Sequence, residues 1–351
     1  MGTPGDEGVR GKRAGGRASL REVAATAGVA LSSASRALNG HPDVSDAMRR
    51  RVQAAAEQLG YEQNLLWEGI RDGQTHTVGI VVRDITSSLW SEIALTAELV
   101  LQRHGYSMLL SNSQGVPEFE VSQIRLLDQR RVDGFIVSPS DVSDPETAAA
   151  LSRLRVPIVV IDRDLPAGVS ASQVMIDQRA GVGEAVRHLI GLGHRHIGLI
   201  VPPHNFRPSA EAAAAAQEVC SAHGVALTVK AGPFSEAHGA AATRELLTAE
   251  PPATAIISGS GQIFPGVLAA ARELGARIPG DFSMVAVEGL PLLSYLEPPM
   301  ALVTRQPRRV GEVAADLLLD LMAGGTPGSR WVSTAFQPAA SCAPPPVKAA
   351  K

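Results

Sequence analysis

The densest run of potential chemistry lies in Leu31-Ser32-Ser33-Ala34-Ser35-Arg36. Arg36 carries a planar fork of donors that suits the O6/N7 edge of guanine, worth ~1–3 kcal/mol of discrimination against a wrong base. The competing use of Arg36 is a solvated helix charge. The hydroxyls of Ser32, Ser33 and Ser35 suit base edges, and Leu31 suits a thymine methyl. Leu31 could instead be core, but Val29, Ala34 and Leu38 already supply a buried face. Such side chains reach bases only if a helix carries them into a groove. Charge agrees: from residue 9 to 51 there are nine Lys/Arg against three acids, although the whole chain nets −3. A basic end on a mildly acidic chain implies either a polyanion partner for that end or a solubilising tail.

Other chemistries lack their parts. Cys220 and Cys342 are the two cysteines, and they make neither a disulfide framework nor a metal spacing. The nine histidines are scattered. The stretch "GLGHRHIG" lacks the strand–turn–helix context of a dinucleotide fingerprint, and His194 to His196 suit a structural role at a strand entry. No enzyme, metal or cofactor is therefore expected. No apolar run approaches the ~20 residues of a membrane span, and the N-terminus has no apolar signal core. A cytoplasmic location is expected.

The elements around Arg36 follow from local signals. Ser19 with Glu22 forms a capping box that starts a helix, ended by Gly28. A second helix fits Leu31 to Leu38, stopped by Asn39-Gly40. A third runs from about Asp46 to Leu59, with Val52, Ala55, Ala56 and Leu59 at helical spacing and Gly60 at its end. Helix, tight turn, helix is the DNA-reading arrangement. Beyond residue 76, apolar runs such as "TVGIVVR", "DGFIVS", "PIVVID" and "HIGLIV" alternate with helical stretches, the pattern of parallel α/β sheets.

The stretch "LREVAATAGVALSSASRALNGHPDVSDAMRRRVQAAAEQLGY" with Asn64 resembles the headpiece of the LacI/GalR family of bacterial transcriptional repressors. "PIVVIDR", "HLIGLGHRHIGLI" and "YLEPPMALVTRQPRRVGEVAADLLLDLM" resemble that family's regulatory domain, and the likeness covers about 18 to 338. It implies an all-α helix-turn-helix headpiece plus an α/β periplasmic-binding-protein-like domain of two Rossmann-like lobes. The expected partition is a flexible basic arm at 1–17, a headpiece at 18–62, a hinge at 63–76 and a regulatory domain at 77–338. Lobe one would take about 77–162 and 292–322, lobe two about 163–291 and 323–338, with a disordered tail at 339–351. The implied function is a homodimeric repressor on a palindromic operator in double-stranded DNA, modulated by a small-molecule effector. A solute receptor of the same α/β fold is the alternative, which a headpiece argues against.

By this resemblance Leu31 and Ser32 choose the operator and Arg36 contacts a base. Ser19, Leu20, Asn39, Ser45, Tyr61 and Asn64 complete the expected DNA contacts. Ala30 stands where the family has a serine N-cap, a loss of ~1 kcal/mol. In the hinge, Ile70 takes the minor-groove wedge position. Gln63, Trp67 and Glu68 depart from the family pattern there, and a carboxylate near phosphates is unfavourable.

Effector contacts are expected at Asp84, Ser87, Trp90, Ser138, Arg163, Arg207, Gln262 and Glu288, with His204 and Asn205 as further candidates. Trp90 could stack on a ligand or serve the core. Three family sugar contacts are altered: Ala212 replaces an arginine, and Ser260 and Gly261 replace an asparagine and an aspartate. Buried hydroxyls need such partners, so the expected effector is not a simple sugar.

Overall fold

The computed structural model describes residues 18–39, 41–61, 74–287 and 291–346. The chain divides into two compact units, residues 1–73 and 74–351. The expected arm, residues 63–73 of the expected hinge with Asn64 and Ile70, and Glu288 lie outside the described residues.

The first unit holds α1 (Leu20–Thr26), α2 (Leu31–Leu38) and α3 (Asp46–Leu59), the three helices expected. The capping box at Ser19 is complete: its backbone N–H donates to Glu22 Oε2 at 2.7 Å and its hydroxyl accepts from the Glu22 N–H at 3.3 Å. Ser45 caps α3, accepting from the Met48 N–H at 3.4 Å. Gly60 ends α3 at φ +59°, a left-handed conformation that costs glycine nothing. Ala30 precedes α2 without a side-chain cap. The buried core comprises Val23, Ala24, Ala27, Ala34, Ala37, Val44, Val52, Ala55 and Ala56.

The second unit is built on two six-stranded sheets. The first contains β1 (Thr77–Val82), β2 (Ser107–Asn112), β3 (Gly134–Val137), β4 (Ile158–Ile161), β5 (Ser172–Asp177) and β11 (Ser329–Ser333). Its spatial order is β11-β5-β4-β3-β1-β2, all parallel. The second contains β6 (His196–Val201), β7 (Ala226–Ala231), β8 (Ala255–Ser258), β9 (Ser283–Val287), β10 (Ala301–Thr304) and β12 (Ala335–Gln337). Its order is β12-β10-β9-β8-β6-β7, with β12 antiparallel. The strands read as apolar runs because helices cover both faces of such sheets. In each sheet one strand, β1 or β6, lies between neighbours reached in opposite directions. That is the switch point beyond whose C-terminal strand ends α/β proteins hold ligands.

The lobe boundaries differ from the expected ones. Strand β5 pairs with β4 through Ile161 opposite Val174, so residues 172–177 belong to lobe one. Strand β10 pairs with β9 in lobe two, and β11 pairs with β5 in lobe one. The chain therefore crosses at Asp177–Gln178, at 305–306 and at Thr334. Thr334 fixes two of these crossings together: its hydroxyl accepts from the Gly181 N–H at 2.8 Å and donates to the Asp177 carbonyl at 2.6 Å. A Cβ at Gly181 would sit 2.6 Å from that hydroxyl, so the approach requires glycine.

The C-terminal segment is also not as expected, because residues 339–346 are packed. Ser341 is fully buried; its hydroxyl donates to the Met284 carbonyl and accepts from the Ala301 N–H. His194 holds the Ala343 carbonyl with Nε2 at 3.0 Å and meets Thr254 Oγ1 with Nδ1 at 2.9 Å. Burial pushes its pKa down, which favours the neutral ring.

Candidate DNA-reading face and effector cleft

On α2 the sequence divides inward from outward. Ala34 and Ala37 are buried, Ser33 and Ser35 half-buried, and Ser32 and Arg36 exposed. Leu31 is 46% exposed, which removes it from the core and leaves an apolar group facing solvent on the candidate reading helix. Asn39 follows as the C-cap. Ser19 and Ser45 are exposed at helix N-termini, where backbone N–H groups favour an anion. Leu20 and Tyr61 are half-buried and pack against the headpiece core, so the Leu20 side chain serves the fold.

In the second unit the cleft is lined by residues at the C-terminal ends of strands in both sheets. Its cavity is lined from lobe one by Arg83, Asp84, Ser87 and Trp90, and from lobe two by Phe206, Phe234 and Gln262. Trp90 is 8% exposed, belongs to the lobe-one core and also lines the cleft. Asp84 accepts from the Gln262 side-chain amide across the cleft. The Arg83 guanidinium lies 3.7 Å over the Phe234 ring and that of Arg163 lies 3.6 Å over Phe206. The two rings meet edge to face at 5.0 Å. Arg207 Nη1 donates to Asp162 Oδ1 at 3.0 Å. The lobes are thus fastened by the chain's own side chains, and the enclosed cavity is about 30 Å³. A second cavity of about 230 Å³ adjoins it, lined by Arg163, Asn205 and Arg207 among others.

Burial shapes the charges. Arg163 is 3% exposed, and desolvation pushes its pKa down to about 9 against the pull of Asp162. Burial pushes Asp162 up, opposed by Arg163, Arg305 and Arg207. Asp162 also holds φ at +51°, a strained setting for a non-glycine residue.

Several expected contacts fall elsewhere. Ser138 is buried and lines neither cavity. Ala212 is buried in the lobe-two core and lines neither of these two cavities. Ser260 does line the cleft, while His204 is exposed outside both cavities. Sequence reading missed Arg83, Asp162, Phe206, Phe234 and Arg305. A signal existed for three of them: Arg83, Asp162 and Arg305 are the first residues beyond β1, β4 and β10, the strand ends where such folds bind ligands. Among the described residues, no group of three or more His, Cys, Asp or Glu side chains could hold a metal ion, and no helix is long and apolar enough to cross a membrane.

A helix-turn-helix headpiece joined to a two-lobed, ligand-binding α/β unit defines a class: DNA-binding transcriptional regulators controlled by an effector domain. Residues 19–64 match the model of bacterial regulatory proteins of the lacI family, and residues 186–342 match the periplasmic binding protein-like domain. An uncharacterized HTH-type transcriptional regulator in the aml 5' region of Streptomyces limosus is 31% identical, covering 88% of this chain and 89% of its own length. The transcriptional regulator CelR in complex with cellobiose is 29% identical at a TM-score of 0.69, covering 93% of this chain and all of its own. The lac repressor dimer bound to operator shares the fold at a TM-score of 0.81 and 22% identity, covering 93% and 99% of the two chains. The chain belongs to the LacI family of bacterial regulators, and its relatives are transcriptional regulators rather than enzymes.

Proposed function

We propose that this chain is a cytoplasmic, non-enzymatic repressor that binds a palindromic operator as a homodimer. Arg36 reads a guanine, with Leu31, Ser32, Ser33 and Ser35 completing the base-facing surface. Ser19, Asn39, Ser45 and Tyr61 set register on phosphates, with the Leu20 backbone beside them. Asn64 and Ile70 extend the contact from the hinge. The observation that carries this reading is helix α2, on which Leu31, Ser32 and Arg36 are exposed while Ala34 and Ala37 are buried. One headpiece offers a small interface, whereas two on a two-fold axis read adjacent half-sites. Lobe one supplies a surface for the second copy: Leu95, Leu99, Leu109, Leu110, Phe119 and Leu126 are each 37–56% exposed. The lac repressor that shares this fold is a dimer on its operator.

The interlobe cleft is the effector site, with Asp84, Ser87, Trp90, Arg163, Arg207 and Gln262 among its contacts. A cavity of about 30 Å³ admits no monosaccharide without opening, since ligand pockets commonly span ~300–1,000 Å³. Selection from randomised DNA by the full-length protein tests the operator reading. A two-fold symmetric site is the expected result, and recovery of no preferred sequence would remove it.

A further inference from the structure

The cleft contains two cationic donors that its own acceptors do not satisfy. Arg163 spends Nε on the Pro139 carbonyl at 2.9 Å and Nη1 on the Asp162 carbonyl at 2.7 Å, while its buried Nη2 has no partner. Arg305, 8% exposed, gives Nη2 to the Gly259 carbonyl at 3.3 Å and leaves a buried Nε unpaired. Asp162 Oδ1 is already occupied by Arg207 and by the Ile176 N–H. Buried N–H groups on a cation are costly to leave unpaired and fit an incoming acceptor, best a planar carboxylate.

No buried side-chain acceptor among the described cleft-lining residues lacks a donor, so a ligand hydroxyl could accept from these guanidiniums but would find no unpaired side-chain acceptor for its proton. The polar groups at the other end are spent on one another: Asp84 with Gln262 and Thr86, and the Ser260 hydroxyl with the Gln262 N–H. The remaining walls are apolar and largely aromatic, with Trp90, Phe206 and Phe234 joined by Ile93, Ile161 and Ile176. Flat apolar walls ending in unpaired guanidinium donors recognise an amphipathic acid.

Building on the cleft as effector site, we propose that it takes a small monocarboxylate with a flat, aromatic body. The carboxylate is received by Arg163 and Arg305, and the body lies against Trp90 with the Phe206 and Phe234 rings. Those two rings now cover the guanidiniums of Arg163 and Arg83. Entry of the acid displaces them, opening the lobes enough to enlarge the present cavity.

The test is calorimetry and thermal shift on the full-length protein with benzoate, 4-hydroxybenzoate, phenylacetate and cinnamate. Each acid is paired with its neutral amide, and inorganic phosphate, glucose and cellobiose complete the panel. At least one acid should bind tenfold or more tightly than its amide, and Arg163→Gln and Arg305→Gln should each erase that preference. The wild-type acid–amide comparison stands even if a variant fails to fold. Equal binding of acid and amide overturns the proposal. Binding of phosphate or a sugar with no acid also overturns it, while leaving the cleft as an effector site. Silence from every probe overturns the acid class, whereas operator binding measured in parallel judges the repressor reading by itself.

Discussion

The headpiece and the regulatory domain solve opposite problems with different materials. Among the described residues, no side chain larger than valine is fully buried in the headpiece core. The regulatory lobes are filled by residues such as Phe135, Phe282, Ile80 and Leu101. A small core stabilises weakly, but it suffices because the headpiece only has to present outward groups whose partner is a surface. In the cleft the working groups are buried, and they need a large scaffold to hold charges such as Arg163 and Asp162 away from water. Function at a surface asks for exposure, and function in a cleft asks for enclosure.

The largest expected effect separates the two units outright. Removing residues 1–73 should abolish operator binding, by more than a hundredfold in a gel-shift assay, while leaving a folded dimer by scattering and calorimetry. Retained operator affinity in that fragment would end the division of labour.

The contrast in core size is sharpened by Val52→Ala. Val52 is fully buried, and losing its two methyls should cost about 2 kcal/mol of headpiece stability. Circular dichroism should show an earlier headpiece transition with the regulatory transition unmoved. A shift of the regulatory transition would mean that the two cores are coupled.

Arg36→Ala addresses the reading face itself. Specific binding should weaken by ~1–3 kcal/mol, with relaxed preference at one base position. An unchanged selected site would strike Arg36 from the readout.

A smaller effect comes from pH. The Ser19 backbone and hydroxyl hydrogen bonds hold the Glu22 carboxyl below its ordinary value of 4.5. A carboxylate depressed in the folded state contributes its stability above that ordinary value and loses it as pH falls through the lower folded pKa. Headpiece melting should therefore fall slightly below pH of about 4.5, and Glu22→Gln should flatten that part of the profile. The same acid sensitivity in the variant would assign it to another group.

The smallest expected effect is none. Glucose, ribose and galactose at millimolar concentration should leave both the melting temperature and operator affinity unchanged, because their hydroxyls meet too few fixed partners. Micromolar binding of an unmodified monosaccharide would show that other side chains of the cleft supply the polar contacts a sugar needs.

How much was legible in the sequence followed the range of the interactions. The helices α1 to α3 were readable because their signals are local: Ser19 and Glu22 are three residues apart, and Gly60 directly follows Leu59. The inward and outward faces of α2 were readable from helical spacing, so exposed Leu31 was separable from buried Ala34. The sheet-forming runs were readable too, but not their lobe. Residues 172–177 and 329–333 are strands of ordinary composition, and only pairing across 156 residues, as between Val332 and Ile176, assigns them to the first sheet. The packed tail was hidden for the same reason, since Ser341 is held by Met284 and Ala301.

The sequence by itself determined two units, a three-helix headpiece with a defined reading face, and a second unit of parallel α/β architecture. Tertiary structure alone decided which side chains meet in the cleft: Arg83 with Phe234, Asp84 with Gln262, and Asp162 with Arg207. Capping, helical spacing and strand runs act between near neighbours, whose order is the sequence. The cleft contacts join residues up to 178 positions apart, and chain crossings between sheets, rather than any local preference, bring those residues to one place.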